Sequence, residues 1–132
     1  MMCKIHTKNV IISHGKFRRW PDFGDHNWVF TESNGSLAHQ VTMYDPKSGR
    51  VMEIFTQEPA LQFYSGNFMD GTVKGKAGKV VKHRYGIALE PQNYPDAPNQ
   101  QNFPNSILAP GETYSTSSVY RFGFEETLIT KK

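Results

Sequence analysis

Glu90 closes the apolar run Ile87-Ala88-Leu89 and precedes Pro91-Gln92, so a carboxylate stands where a buried strand enters a loop. Carboxylates are seldom fully buried without a partner or a task. Such a group either has a functional role or is only an exposed acid at a strand end. The pattern leaves both open. Asp25, in Phe23-Gly24-Asp25-His26-Asn27, reads either as a hydrogen-bonding carboxylate or as turn chemistry, because Gly, Asp and Asn all favour turns. Gln62, between Leu61 and Phe63, is a candidate ligand amide or a plain sheet-face residue. Trp28, Phe63 and Tyr64 can stack on a ring of a ligand or fill a core.

Other chemistry fits poorly. His26, His39 and His83 have no spacing that closes a metal site, so no metal is expected. Gly71-Thr72-Val73-Lys74-Gly75-Lys76-Ala77 is not a phosphate loop, which needs four residues between its glycines and a hydroxyl after the lysine. A solvated hairpin loop is the expectation there. Cys3 has no second cysteine to pair with, and a lone thiol near a terminus is a weak candidate for catalysis.

The elements that must position these groups are strands. No window sustains a 3.6-residue apolar period, while period-two alternation and turn residues dominate. Trp28-Val29-Phe30 leads to Ser33-Asn34-Gly35-Ser36, whose Asn-Gly pair predicts a hairpin returning as Leu37 to Tyr44. Along that strand Leu37, His39, Val41 and Met43 would share one face. Asp45-Pro46-Lys47-Ser48-Gly49 is a turn, followed by a strand over Val51 to Thr56 and another over Leu61 to Tyr64. A further strand is expected around Tyr85 to Glu90. Residues 91 to 110 hold five prolines and predict an ordered, irregular loop. Tyr114, Thr116, Ser118, Tyr120, Phe122 and Phe124 alternate as one long final strand.

The chain has 132 residues, about the length of one domain. Its formal charge of +3 is uneven. Lys4, Lys8, Lys16, Arg18 and Arg19 fall in residues 1–20, which contain no acid. The remaining chain carries 10 basic and 12 acidic side chains, a balance of −2. A nucleic-acid partner is therefore not expected, since binders draw affinity from basic charge spread across the folded part. Val10-Ile11-Ile12 is too short for a signal peptide core or a bilayer span. No membrane association is expected, and a cytoplasmic location is.

Four stretches together resemble the galactose mutarotase (aldose 1-epimerase) family, over about Asp25 to Phe122. They are Asp25-His26-Asn27; Ser48 to Glu53 with Thr56 to Phe68; Gly86-Ile87-Ala88-Leu89-Glu90-Pro91-Gln92 with Tyr94 to Asn99; and Phe103-Pro104 with Ile107 to Tyr114. The resemblance implies an all-β, antiparallel β-sandwich, the C-terminal half of a mutarotase-like supersandwich. It divides the chain into a basic leader at 1–20, a sandwich segment at 21–126 and a short tail at 127–132.

The resemblance also implies an isomerase that interconverts the α and β anomers of galactose or glucose, with no cofactor. Glu90 matches the family's general base, which removes the anomeric hydroxyl proton. Asp25 and Gln62 match residues that hydrogen-bond sugar hydroxyls. The family's general-acid histidine belongs to a part upstream of the match, and His6 and His14 lie in the unmatched leader. The expectation is thus a shortened form lacking that histidine, with a non-catalytic carbohydrate-binding or interaction module as the alternative. Half of a sandwich also leaves a sheet edge unpaired, so self-association through that edge is expected.

Overall fold

A computed structural model describes residues 4–6, 25–45 and 48–124 of the chain. Seven strands form two antiparallel sheets: β1 (Lys4–His6), β2 (Asp25–Val29), β3 (Ala38–Tyr44), β4 (Arg50–Thr56), β5 (Ala60–Tyr64), β6 (Ala88–Gln92) and β7 (Ser118–Phe124). The larger sheet runs β1-β3-β4-β7 and the smaller β2-β5-β6. Only two single-turn 3-10 segments, Lys76–Gly78 and Ala97–Asn99, interrupt the β character among the described residues. Cys3, His14 and the leader boundary at Trp20-Pro21 lie outside those residues.

Alternation explains the core. Val41 of β3 and Ile54 of β4 project from the larger sheet onto Leu61 and Phe63 of β5 and Leu89 of β6, with Phe30 closing one side. Trp28, Met43 and Met52 pack around this cluster. Two sheets that bury one face each against the other make a sandwich, as the strand pattern predicts.

Four local expectations are corrected. The Asn-Gly hairpin does not form: β2 pairs with β5, while β3 belongs to the other sheet. Gly35 does adopt a positive φ of 77°, but Asn34 is not among the residues with positive φ. Its Oδ1 instead accepts from the Ser36 amide at 3.0 Å and the Ser36 hydroxyl at 2.6 Å. An Asx turn of this kind lets the chain cross between sheets, whereas a two-residue type I′ hairpin needs both central residues left-handed.

The shared face along β3 is also broken. His39 pairs with Phe55 but Val41 pairs with Ile54, so Gln40 is a bulged extra residue. Beyond the bulge the alternation shifts by one, and His39 leaves the core side that Val41 and Met43 occupy. Gln40 turns inward, 2% exposed, and its amide donates to the Glu32 carbonyl at 3.0 Å.

The strand expected around Tyr85 to Glu90 begins later, at Ala88. Residues before it are still turning, with Arg84 at φ 61° and the Tyr85 amide bonded to the Lys82 carbonyl at 3.0 Å. The final strand likewise starts at Ser118 rather than Tyr114. The stretch before it lies along the β4–β5 turn, where the Gln57 amide donates to the Ser117 carbonyl at 3.2 Å.

The glycine- and lysine-rich stretch is a small exposed hairpin with a Lys74–Val80 bridge, as expected. Gly66, at its base, has φ +71° and lies so near the Gly86 carbonyl that a Cβ would sit 2.8 Å from it. The β4 residue Ile54 is fully buried at the centre of the sandwich. Ile54→Ala should lower unfolding free energy by roughly 2–5 kcal/mol in urea titration. A loss under about 1 kcal/mol would show that the two sheets do not meet there.

Candidate functional site

The site is built on the smaller sheet. Its register places Asp25 opposite Tyr64 and Asn27 opposite Gln62, and Gln62 opposite Glu90. Side chains directly across a ladder point to the same face. Asp25, Asn27, Gln62, Tyr64, Glu90 and Gln92 therefore share one polar face, while Trp28, Leu61, Phe63 and Leu89 share the apolar one. All three sequence-predicted site residues lie on that polar face.

Their contacts tie two of them directly. The Gln62 amide Nε2 donates to Asp25 Oδ1 at 2.5 Å, across the diagonal of the β2–β5 pair. A carboxylate accepts only, so this bond orients Gln62 with its nitrogen toward Asp25. Gln62 is half-buried, and Asp25 and Glu90 are exposed. Two further atoms of this face, Asn27 Nδ2 and Gln62 Oε1, are buried without a hydrogen-bond partner. Each such group costs on the order of 1–3 kcal/mol. Unmet polar atoms in a natural protein call for an explanation, often a ligand or a functional movement.

Strand β6 is the outer strand of the small sheet, which permits Pro91 within it because an edge proline breaks no ladder bond. Its free side is fastened from the other sheet. The Tyr120 hydroxyl of β7 donates to the Leu89 carbonyl at 2.9 Å, immediately before Glu90. Burial, and then the negative charge of Glu90, raise the pKa of Tyr120 above its ordinary value. Tyr120 thus remains a donor throughout the neutral range and holds the backbone beside Glu90.

The loop after β6 is ordered by local bonds. Asp96 accepts from the Asn99 amide at 2.6 Å and the Gln100 amide at 2.8 Å, and these two bonds lower its pKa. Tyr94 meets Phe103 edge to face at 5.1 Å. Farther on, the Tyr114 hydroxyl donates to Glu58, a carboxylate only 6% exposed in the β4–β5 turn. That bond, and next burial, raise the pKa of Tyr114. Sequence reasoning did not single out Glu58, Tyr114, Tyr120 or Asn27 for these positions. For Asn27 a signal existed, because it follows Asp25 by two residues and a strand must place both on one face.

None of the four described histidines occupies a strand position of the polar face: His6 belongs to β1 of the larger sheet. His26 faces the other way on β2. His39 lies on the outer side of the larger sheet, 3.6 Å from Glu53, and His83 sits in the β5–β6 loop against the Asn67 carbonyl at 2.9 Å. No three His, Cys, Asp or Glu side chains converge to hold a metal ion among the described residues. No helix among them is long and apolar enough to cross a membrane.

Comparison with known proteins shows the family of the chain. The family model for aldose 1-epimerase matches residues 8–121. The chain belongs to the aldose 1-epimerase family. It is 52% identical over 98 residues to the galactose mutarotase of Homo sapiens, covering 74% of this chain and 28% of that protein. The galactose mutarotase of Rattus norvegicus is 44% identical over the same shares, and the aldose 1-epimerase of Escherichia coli is 41% identical over 73 residues, 21% of its length. A solved GalM/aldose epimerase homologue from C. elegans superposes with a TM-score of 0.66 at 34% identity, over 76% of this chain and 30% of the other. The chain thus spans about 28% of the length of the galactose mutarotases it matches.

The two tyrosine hydroxyls generate a pH expectation. Both pKa values are raised in the folded state above 10.0. For an acid whose folded pKa is raised, the stabilisation is complete below the unfolded value and is lost as pH rises through the folded one. Urea midpoints should therefore fall more steeply from about pH 10 upward in the wild type than in a Tyr114→Phe/Tyr120→Phe double variant. Equal slopes would remove these hydroxyls as the cause.

Proposed function

We propose that the polar face of the small sheet is the proton-abstracting side of an aldose 1-epimerase site acting on galactose or glucose. Glu90 is the base, and Asp25 and Gln62 hold sugar hydroxyls. The observation that carries this reading is the register that puts Gln62 directly opposite Glu90 while its amide is bonded to Asp25.

The reaction needs only proton movements. Glu90 removes the proton of the anomeric hydroxyl as a general acid delivers one to the ring oxygen. The C1–ring-oxygen bond breaks to give the open-chain aldehyde. Rotation about C1–C2 and reversal of both transfers close the ring on the other face. Atoms and charge balance with no redox partner. A positioned acid or base contributes roughly 10²–10⁴ in rate, and hydroxyl contacts hold the ring for transfer.

A second reading rests on a specific observation: no described histidine stands on the polar face, so the acid partner is not among its strand residues. On that reading the chain is a carbohydrate-binding module that keeps the hydroxyl contacts without turnover. We take residues 21–126 as the functional unit under both readings, in a cytoplasmic protein, with β1 adding an outer strand to the larger sheet.

Polarimetry on freshly dissolved α-glucose and α-galactose separates the two. Enzyme activity accelerates the approach to equilibrium above buffer, and Glu90→Gln should cut the protein-dependent rate at least about 100-fold with an unchanged circular dichroism spectrum. An unaffected rate would exclude Glu90 as the base. Buffer rates with sugar binding visible by calorimetry would favour the module.

The larger sheet supports one association. Strand β7 ends that sheet, and its core-side residues Phe122 and Phe124 are 74% and 58% exposed. Apolar edges of this kind recruit further strands. We therefore propose self-association through β7, which should appear as a concentration-dependent mass in sedimentation. Phe122→Lys should abolish it, and a monomer at every concentration would refute it.

A further inference from the structure

Asn27 has no role in the reading above, yet it stands at its centre. It lies on the polar face two residues beyond Asp25 and directly opposite Gln62. Its Nδ2 is buried with a donor unmet, and Gln62 Oε1 is buried with an acceptor unmet. Each lacks what the other offers.

The orientation of Gln62 is fixed by chemistry. Its Nε2 donates to Asp25 Oδ1 at 2.5 Å, and turning the amide over would set a carbonyl oxygen against a carboxylate. Oε1 must therefore find its donor on the other side. Side chains opposed across a ladder have Cβ atoms roughly 4.5–5.5 Å apart. The terminal torsions of Asn and Gln are broad, so a modest rotation closes the gap.

We propose that Asn27 is a positioning residue whose Nδ2–H donates to Gln62 Oε1, completing a chain from Asn27 through Gln62 to Asp25. The chain locks the Gln62 amide. Asp25 Oδ2 and the second Nε2 hydrogen of Gln62 then remain for the ligand. Its consequence for sugar rests on the function proposed above; the hydrogen bond itself does not.

Side-chain amide NMR on ¹⁵N-labelled full-length protein tests the bond. In Asn27→Leu, similar in shape but with no donor, the Gln62 NH₂ signals should shift and exchange with water at least about threefold faster. In Gln62→Ala, the Asn27 NH₂ should lose its protection, which keeps the test decisive if the leucine variant does not fold. Gln62 signals with unchanged shift and exchange, or unchanged Asn27 protection, would overturn the proposal. If the wild type accelerates mutarotation, Asn27→Leu should raise KM about tenfold with kcat changed less than threefold, because the base is untouched. If it does not, the NMR result still decides the bond, and only the epimerase reading fails.

Discussion

The hydrogen-bonded register of β5 is the constraint on which the site depends. This strand has a neighbour on each side, and its pairing with both β2 and β6 fixes which of its residues look into the core. Leu61 and Phe63 are buried, so Gln62 between them must face outward. A slip of one residue would carry Gln62 into the apolar cluster and expel two large side chains. The apolar effect thus sets the position of a polar site. Asp25 and Glu90 reach the same face only because the flanking strands are in step with that one.

The two sheets contribute unequally. The smaller presents the candidate chemistry, and the larger supplies a rigid backing through Val41 and Ile54. Tyr120 joins them at the strand that carries Glu90, and Glu58 with Tyr114 anchors the long segment between β6 and β7. Both links use tyrosine, whose ring fills space while its hydroxyl reaches a polar partner. Residues far apart in sequence in this way hold the short strand β6 in place.

Much of this was legible in the amino-acid order, and the exceptions have physical causes. Alternation located β4, β5 and β7 to within a few residues, because burial on one side leaves a period of two. The motif resemblance named Asp25, Gln62 and Glu90, which now share a face; their chemical roles remain a proposal. The Asn34-Gly35 pair misled because turn residues report local backbone freedom and not which strand becomes the partner. Gln40 misled because a bulge shifts the alternation while leaving composition unchanged. Asn27, Tyr114 and Tyr120 could not be assigned, since their importance lies in partners that only the tertiary fold brings near.

The constriction where Gly66 meets Gly86 has a further meaning. It closes the neck of the lysine-bearing hairpin, so the two ends of that excursion are held together whatever lies between them. Loop length beyond such a neck costs little, growing only with its logarithm. Residues 71–82 can therefore be lengthened or shortened at small entropic cost, while a side chain at Gly66 would collide with the Gly86 carbonyl.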